Sequence, residues 1–577
     1  MLIYIIIFLA SPLVWAEDIY FNIKQSQSVA EIQAGLQAAI DNATSSDRII
    51  VTGSKTDADI GLYIDIGSKT VIWKATYQSS ASIASSELIV IEYSCFNGIF
   101  EVAGGTLIAT NCNTIVTTGT VSYQNIIVSG NGIVKTSGNG FHAIRTAGNV
   151  EIKDNAQVSG TNGEVIATEG ENSIVSVSGG SVTAASENAI ITQGKNAKVF
   201  VSGGYVGNDA KNSGNNYYPV IFMRNESNNA LNLIISGTAI VEAKGRGCAI
   251  YTYGSVEVKG NAQVRNSAPV CNSDNIAICF NGYGDITLTV AIMDNAIITG
   301  NYEGIHSAGN GRGRVLLSGM SKVTGYVRAF TVELKDDAQV INENSGCAIQ
   351  AVDVVVSNSC KVISKQSEAI LAVNVEIKDN AQVILTHGYY YDETWYKRTA
   401  ISTGGDNPSV MLSGGVVFAP TGDISEVIKC SNFTGPVDTG ILMAWDKASG
   451  NTAYEMNSTV DILKLPESAT AYWDKKDGNS GITYANGENK GFIPLEDVSV
   501  LSVKESILSN LNIFPNPVSN ILHIETGNNN PIPDVKIYSI QGVLLIQTKG
   551  NQIDVSSLAR GIYIAEVEGV CRKVVKQ

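Results

Sequence analysis

The middle of the chain alternates apolar and polar residues in short bursts that recur. NIIVSGNGIV (125–134), NVEIKDNAQV (149–158), IVSVSGGSV (174–182), KVFVSGGYV (198–206) and NLIISGTAIV (232–241) share one pattern. SVEVKGNAQV (255–264), VAIMDNAII (290–298), RVLLSGMSKV (314–323) and TVELKDDAQV (331–340) continue it. DVVVSNSCKV (353–362), NVEIKDNAQV (374–383) and SVMLSGGVV (409–417) complete it. Period-two alternation over a few residues is the signature of a strand. Each copy therefore predicts a strand, a two-residue turn and a second short strand. The turn positions hold Gly, Asn or Asp, which tolerate left-handed backbone angles. A small-apolar step alternates with this unit: Ala143-Ile144, Val165-Ile166, Ala189-Ile190, Val220-Ile221, Ala249-Ile250, Ala348-Ile349, Ala369-Ile370 and Ala400-Ile401. With roughly three short strands per repeat, one unit buries little alone, and stacking must make the core.

The pattern predicts an all-β fold, a right-handed parallel β-helix in which each coil gives one strand to each of three sheets. Neighbouring coils should lie ~4.8 Å apart, so roughly 13 or 14 coils over residues 60–435 would form a rod about 60 Å long. A β-propeller needs ~40 or more residues per blade, and these units are too short. An open solenoid end must be blunted. Ser28 and Glu31 have capping-box spacing, and Val29, Ile32, Leu36 and Ile40 form one apolar face. These predict a capping helix over 28–43 within an N-terminal cap at 17–59. The following IIVTGSKTDADIGLYIDIGSKTVIWKA resembles the first coils of pectate-lyase-like β-helices. Residues 436–505 lose the repeat and read as a β-rich C-terminal cap and linker. They loosely resemble the segment that follows β-helix repeats in some surface proteins of Bacteroidota.

At the N-terminus, Ile3–Leu9 form an apolar run too short to span a bilayer. Val14 and Ala16 suit a signal peptidase, so residues 1–16 read as a signal peptide cleaved after Ala16, although no Lys or Arg precedes the run. No other stretch is long and apolar enough for a transmembrane helix. With 39 basic and 54 acidic residues in 577, the net charge is −15, which argues against a nucleic-acid partner. The nine cysteines form no CxxC pair and no Cys/His cluster, so neither a metal nor a cofactor is expected.

The C-terminal segment carries dense motifs. Ile513-Phe514-Pro515-Asn516-Pro517 precedes Ile521-Leu522-His523-Ile524; Val535–Gly542, Ile553–Leu558, Gly561–Val567 and Lys573–Lys576 follow. Pro515 and Pro517 fix an extended approach to the first strand. Gly542 suits a hairpin turn, and Gly561 breaks the chain before the next strand. In order and spacing, residues 506–577 resemble the type IX secretion C-terminal sorting domain of Bacteroidota, an immunoglobulin-like β-sandwich, through Phe514, Pro515, Asn516, Pro517, Gly542, Gly561, Tyr563 and Lys573. The resemblance implies recognition by the outer-membrane translocon and removal of the domain. The cargo is then released outside the cell or attached to the outer-membrane surface.

No catalytic residue is assigned. Paired carboxylates would suit glycoside hydrolysis, and a basic residue near an acidic calcium cluster would suit lyase chemistry; neither is recognisable. Asp336-Asp337, Asn155, Asn261, Asn295 and Asn380 fall at repeat turns and read as corner residues. His142 and His306 flank the apolar anchors at different offsets, with no obvious acid partner. Gly-His-Gly and GxSxG motifs are absent. Two expanded coils stand out. GNDAKNSGNNYYP (207–219) carries Tyr217 and Tyr218, and ILTHGYYYDETWYKRT (384–399) carries Tyr389, Tyr390, Tyr391, Trp395 and Tyr396. Aromatic rings with polar tips suit stacking on sugars or docking on a protein surface, and equally suit packing over the side of the rod. The expectation is an adhesive or glycan-binding rod whose partner is a polysaccharide or a host or cell-surface ligand. The alternative is a polysaccharide lyase or glycoside hydrolase on the same fold.

Overall fold

The computed structural model describes residues 16–577 apart from 93–96, 120–124, 209–217, 225–229, 269–274, 283–285, 310–311, 387–388, 392–393, 397–398, 420–425, 435–440, 445–460, 464–469, 477–478, 487–488, 495–511, 515, 526–533, 540–543 and 568–569. The expected signal peptide lies almost wholly outside the described residues.

The repeat forms a parallel β-solenoid. Asn149–Ile152 pairs in register with Asn125–Ser129 of the preceding coil and Ile174–Val177 of the next. Gln157–Asn162 belongs to a second ladder and Ile166–Thr168 to a third, each again paired parallel with its neighbours. Alternation dictates what faces inward: Val150, Ile152, Val158 and Ile166 are buried in one continuous core, as are their counterparts in every described coil. Both members of each small-apolar step are buried, because the first sits on the bend before the third-ladder strand. Its backbone donates along the stack, as in Ala189 N–H to Val220 O and Ala369 N–H to Ala400 O.

The corner between the first and second ladders differs from the expected two-residue turn. Four residues, Lys153–Ala156, link Ile152 to Gln157, because the chain must turn between two sheets rather than reverse within one. Alanine 156 plugs the core beneath the corner, and Asp154 adopts the left-handed conformation, φ 59°. Gly237, Asp294, Asp336, Asn358 and Asp379 do the same in other coils, whereas the Gly-Gly corner Ser178–Gly180 has three residues and turns left-handed at Gly180, opposite Ala156. At Gly180 (φ +66°) a Cβ would lie 2.2 Å from the Ala156 carbonyl oxygen, so only glycine fits there.

Where the corner residue is acidic, it reaches one coil back. The carboxylates of Asp154, Asp294, Asp336 and Asp379 accept the backbone N–H of Gly130, Gly260, Gly319 and Asn358, each at 2.9 Å. Asn358 in turn accepts from the Asp336 N–H at 3.2 Å. The corner residues Asn155, Asn261, Asn295 and Asn380 bond to the preceding corner through their own N–H. Replacing Asp379 with Ala removes the acceptor and leaves in the left-handed region a residue without the polar side chain that lets Asp tolerate it, with an expected local loss of roughly 1–3 kcal/mol. Asp379→Gly should lose only the hydrogen-bond share. Faster amide exchange at Asn358 in both variants, with the larger destabilisation in Ala, is the expected reading; equal behaviour of Ala and wild type would contradict it.

A helix, Val29–Asn42, packs Val29, Ile32, Leu36 and Ile40 against the first strands. Ser28 and Glu31 complete a reciprocal capping box. Among the described residues, Cys112, Cys279, Cys347, Cys360 and Cys430 are free thiols. Burial pushes Cys112 up to about 11 and Cys347 and Cys360 up to about 12. Cys248 and Cys347 lie four third-ladder pairings apart, about 19 Å at ~4.8 Å per coil, well beyond disulfide reach.

A second unit holds the C-terminal residues. A three-stranded antiparallel sheet (Asn512–Phe514, Ile521–Glu525, Gln552–Asp554) and a four-stranded one (Leu544–Lys549, Asp534–Ser539, Gly561–Val567, Val570–Lys576) enclose their own core. Val518, Leu522, Ile524, Val535, Ile537, Ile553 and Val574 fill it.

Candidate functional site

Both insertions leave the end of a second-ladder strand, Tyr205–Asn208 or Gln382–Leu385, and return to the third ladder at Ile221–Met223 or Ile401–Thr403. Seven third-ladder pairings separate their return points, about 34 Å at ~4.8 Å each. Tyr217 lies outside the described residues. Tyr218 is half-buried, and its carbonyl accepts the Asn208 side-chain amide at 3.1 Å. Asn188 donates to the Pro219 carbonyl at 2.6 Å, so two buried amides pin the return of this insertion. The second insertion forms an antiparallel hairpin with Tyr389 opposite Tyr396, Tyr390 opposite Trp395 and Tyr391 opposite Thr394. Asn208 has equivalents the sequence reading missed. Asn266 donates to Gly247 O at 2.5 Å and Asn342 to Cys347 O at 2.9 Å, each buried at the same corner. The signal was present as a recurrent Asn two residues after the first core-facing position of that strand motif, as in YVGN, QVRN and QVIN.

Between the insertions runs a row of outward side chains that the sequence reading also passed over. Phe222, Tyr251, Cys279, His306, Arg328, Gln350, Leu371 and Ser402 pair coil to coil, each one residue after a core-facing anchor. Phe222 and Tyr251 meet edge to face with centroids 5.5 Å apart, as do Tyr251 and Tyr253. Asn281 donates to the Tyr251 hydroxyl at 3.2 Å.

The histidines require a correction. Both have glutamate partners, supplied by folding rather than by a repeat position. The His142 ring nitrogen Nδ1 lies 3.7 Å from the carboxylate of Glu164 on the next coil and 3.0 Å from the Glu164 carbonyl oxygen. Burial holds the His142 ring below its ordinary value and raises Glu164 and Glu187, and the Glu164 charge pushes Glu187 further. His306 Nδ1 contacts the carboxylate of Glu303, which is 6% exposed and lies three residues earlier on the same strand. On the next coils, the Tyr326 hydroxyl donates to Gln350 Oε1, and burial raises the Tyr326 phenol. A carboxylate on Nδ1 fixes one imidazole tautomer and leaves Nε2 to act as a base or an acceptor.

In the C-terminal unit, the structure draws two sorting-motif positions together. The Asn516 side chain accepts the Val575 N–H and donates to the Lys573 carbonyl, both at 2.8 Å, tying the start of the unit to its last strand. Asn516 and Pro517, joined by a cis peptide bond, lie in the connection between the paired strands Asn512–Phe514 and Ile521–Glu525. The proline motif thus follows the first strand instead of leading into it, because Ile513 and Phe514 already pair with Ile524 and His523. Pro515 and Gly542 lie outside the described residues, Gly542 between two strands that pair antiparallel. Phe514 is exposed and stacks on His523, with centroids 5.5 Å apart. Gly561 opens a strand, and the Tyr563 hydroxyl donates to the Ala559 carbonyl at 2.8 Å.

No curated protein and no solved structure matches the chain. Residues 512–577 match the family of secretion system C-terminal sorting domains. The chain therefore ends in a type IX sorting domain behind a parallel β-solenoid, which implies engagement of the type IX secretion system and delivery to the cell surface or the extracellular space.

Proposed function

We propose that the exported solenoid is an adhesive, glycan-binding protein whose binding face is the outer side of the third ladder with the two aromatic insertions beside it. The observation that supports this most is placement. The insertion that ends at Tyr218 and the Tyr389–Tyr396 hairpin return to the same ladder, and the Phe222–Tyr251–Tyr253 cluster starts the row between them. A face with several rings over about 34 Å suits a chain of sugars better than one small molecule. The helix Val29–Asn42 and residues 436–505 serve as end caps in this reading. Signal cleavage follows Ala16, and removal of the immunoglobulin-like tail leaves a cargo ending near residue 505.

Replacing Tyr390 and Trp395 together with Ala should abolish binding on a polysaccharide array while the thermal midpoint stays within a few degrees, because loop side chains lie outside the stacked core. Retained binding would remove the hairpin from the site, and unfolding would show that these rings are core.

A second reading, polysaccharide cleavage, is favoured by one observation: the Glu303–His306 pair on the same face. It predicts time-dependent shortening of a polysaccharide that His306→Gln slows by about 10²–10⁴-fold, the usual contribution of a general base. Chain length unchanged by wild-type protein would dismiss it.

A further inference from the structure

We propose that a groove around Arg328 and Phe330 is a subsite for a sugar bearing an oxyanion, either a carboxylate or a sulfate ester. This rests on the glycan reading above and adds the class of glycan.

The groove has a volume of about 340 Å³ and lies where the third ladder turns back to the first. Its walls are Ser307, Arg328, Phe330 and Gln350, with Gly309, Ala329, Ala351 and Val352 as small surroundings. The charge balance is local and one-sided: one guanidinium and no carboxylate line it, in a chain of net charge −15. Several arginines elsewhere on the solenoid are neutralised. Arg48, Arg145, Arg265 and Arg314 each have a carboxylate oxygen within 2.7 to 3.0 Å. Arg328 is exposed and has no such partner among the described residues.

The other walls supply what a sugar ring needs. Phe330 is 38% exposed, on a surface whose large apolar side chains mostly face inward. An open ring of this kind offers a stacking face. The Tyr326 hydroxyl occupies Gln350 Oε1, which orients the amide and leaves its two N–H donors for a ligand. Arg328 and Gln350 are successive members of one outward row, ~4.8 Å apart, so two donors stand side by side along the groove. A planar guanidinium takes a carboxylate or sulfate through two parallel hydrogen bonds, which a neutral hydroxyl cannot match.

The test uses the full chain in affinity electrophoresis through gels containing a polyuronate, dextran sulfate or unmodified dextran. Retardation by the polyuronate or by dextran sulfate, and not by dextran, is expected, and the more effective polymer identifies the oxyanion. Arg328→Gln should weaken that binding about ten- to a hundredfold. Phe330→Ala should weaken it as well, and Arg328→Lys should fall between. Arg48→Gln makes the same charge change far from the groove and should leave binding intact. Anionic binding that survives Arg328→Gln, or that falls equally with Arg48→Gln, overturns the subsite. Binding to dextran that depends on Tyr390 and Trp395, without preference for the charged polymers, overturns the subsite but keeps the glycan reading. Failure to bind any of the three overturns both.

Discussion

Deleting Ile513–Gln577 is expected to hold the protein in the periplasm, with its solenoid still folded and none of it outside the cell. The deleted residues contain a complete core of their own, in which Val518, Leu522, Val535, Ile553 and Val574 pack together. The solenoid core is a separate cluster that runs from Ile23 to Leu442 and draws on none of them. The deletion therefore removes the sorting domain without opening the cargo, and export should fail for want of an address rather than of a fold. Cell fractionation with immunodetection reads location, and resistance of the trapped protein to a protease reads folding. Truncated protein on the surface would contradict the role assigned to the tail. A degraded periplasmic product would show that the solenoid depends on it. Asn516→Ala is a milder probe, since it cuts two hydrogen bonds that hold the first connection to the last strand.

Trp73→Ala should cost about 3–5 kcal/mol and split unfolding into two transitions. Trp73 is fully buried, and its ring meets Tyr77 at 5.7 Å and Phe100 at 5.8 Å in the interior of the early coils. Among the described residues the indole N–H has no hydrogen-bond partner, so the loss is one of volume and contact. In a solenoid each coil touches only its neighbours, so damage stays local. The coils near Trp73 should melt first in urea while those beyond residue 200 keep their amide protection. Trp73→Phe, which keeps most of the volume, should restore a single transition. Hydrogen exchange resolved by segment distinguishes these outcomes; uniform loss of protection along the chain would show that the stack unfolds as one unit.

Most of the architecture was legible because it rests on repetition. Val150, Val158 and Ile166 announce three sheets by recurring in the same order, and the Ser28–Glu31 box marks the helix start by chemistry that needs no tertiary context. The sorting tail was legible because its motifs are dense. The site was less so. Outward residues such as Tyr251, His306 and Arg328 follow buried anchors by one position, and their identities vary freely because no core constrains them. Glu164 reaches His142 from 22 residues away, a proximity that exists only once coils stack. Glu303 and His306 are close in sequence, but three residues along an extended strand ordinarily face opposite sides; an irregularity in the pairing between Glu303 and Ile305 brings them together. The four-residue corner was misread as two because composition marks where the backbone turns left-handed and not how many residues flank that point.

The acidic corners have a direction. Asp336 serves Gly319, Asn358 serves Asp336, and Asp379 serves Asn358, so each later coil completes the one before it. At these joints the earlier coil presents a backbone donor toward its successor, and the successor carries the acceptor at the matching place. Such a stack templates its own extension from the N-terminal side, in the order in which a ribosome delivers it. Insertion or loss of a whole coil leaves the same parallel backbone pairing at the remaining joints, so the length of the solenoid is free to change by duplication and deletion while its register is not.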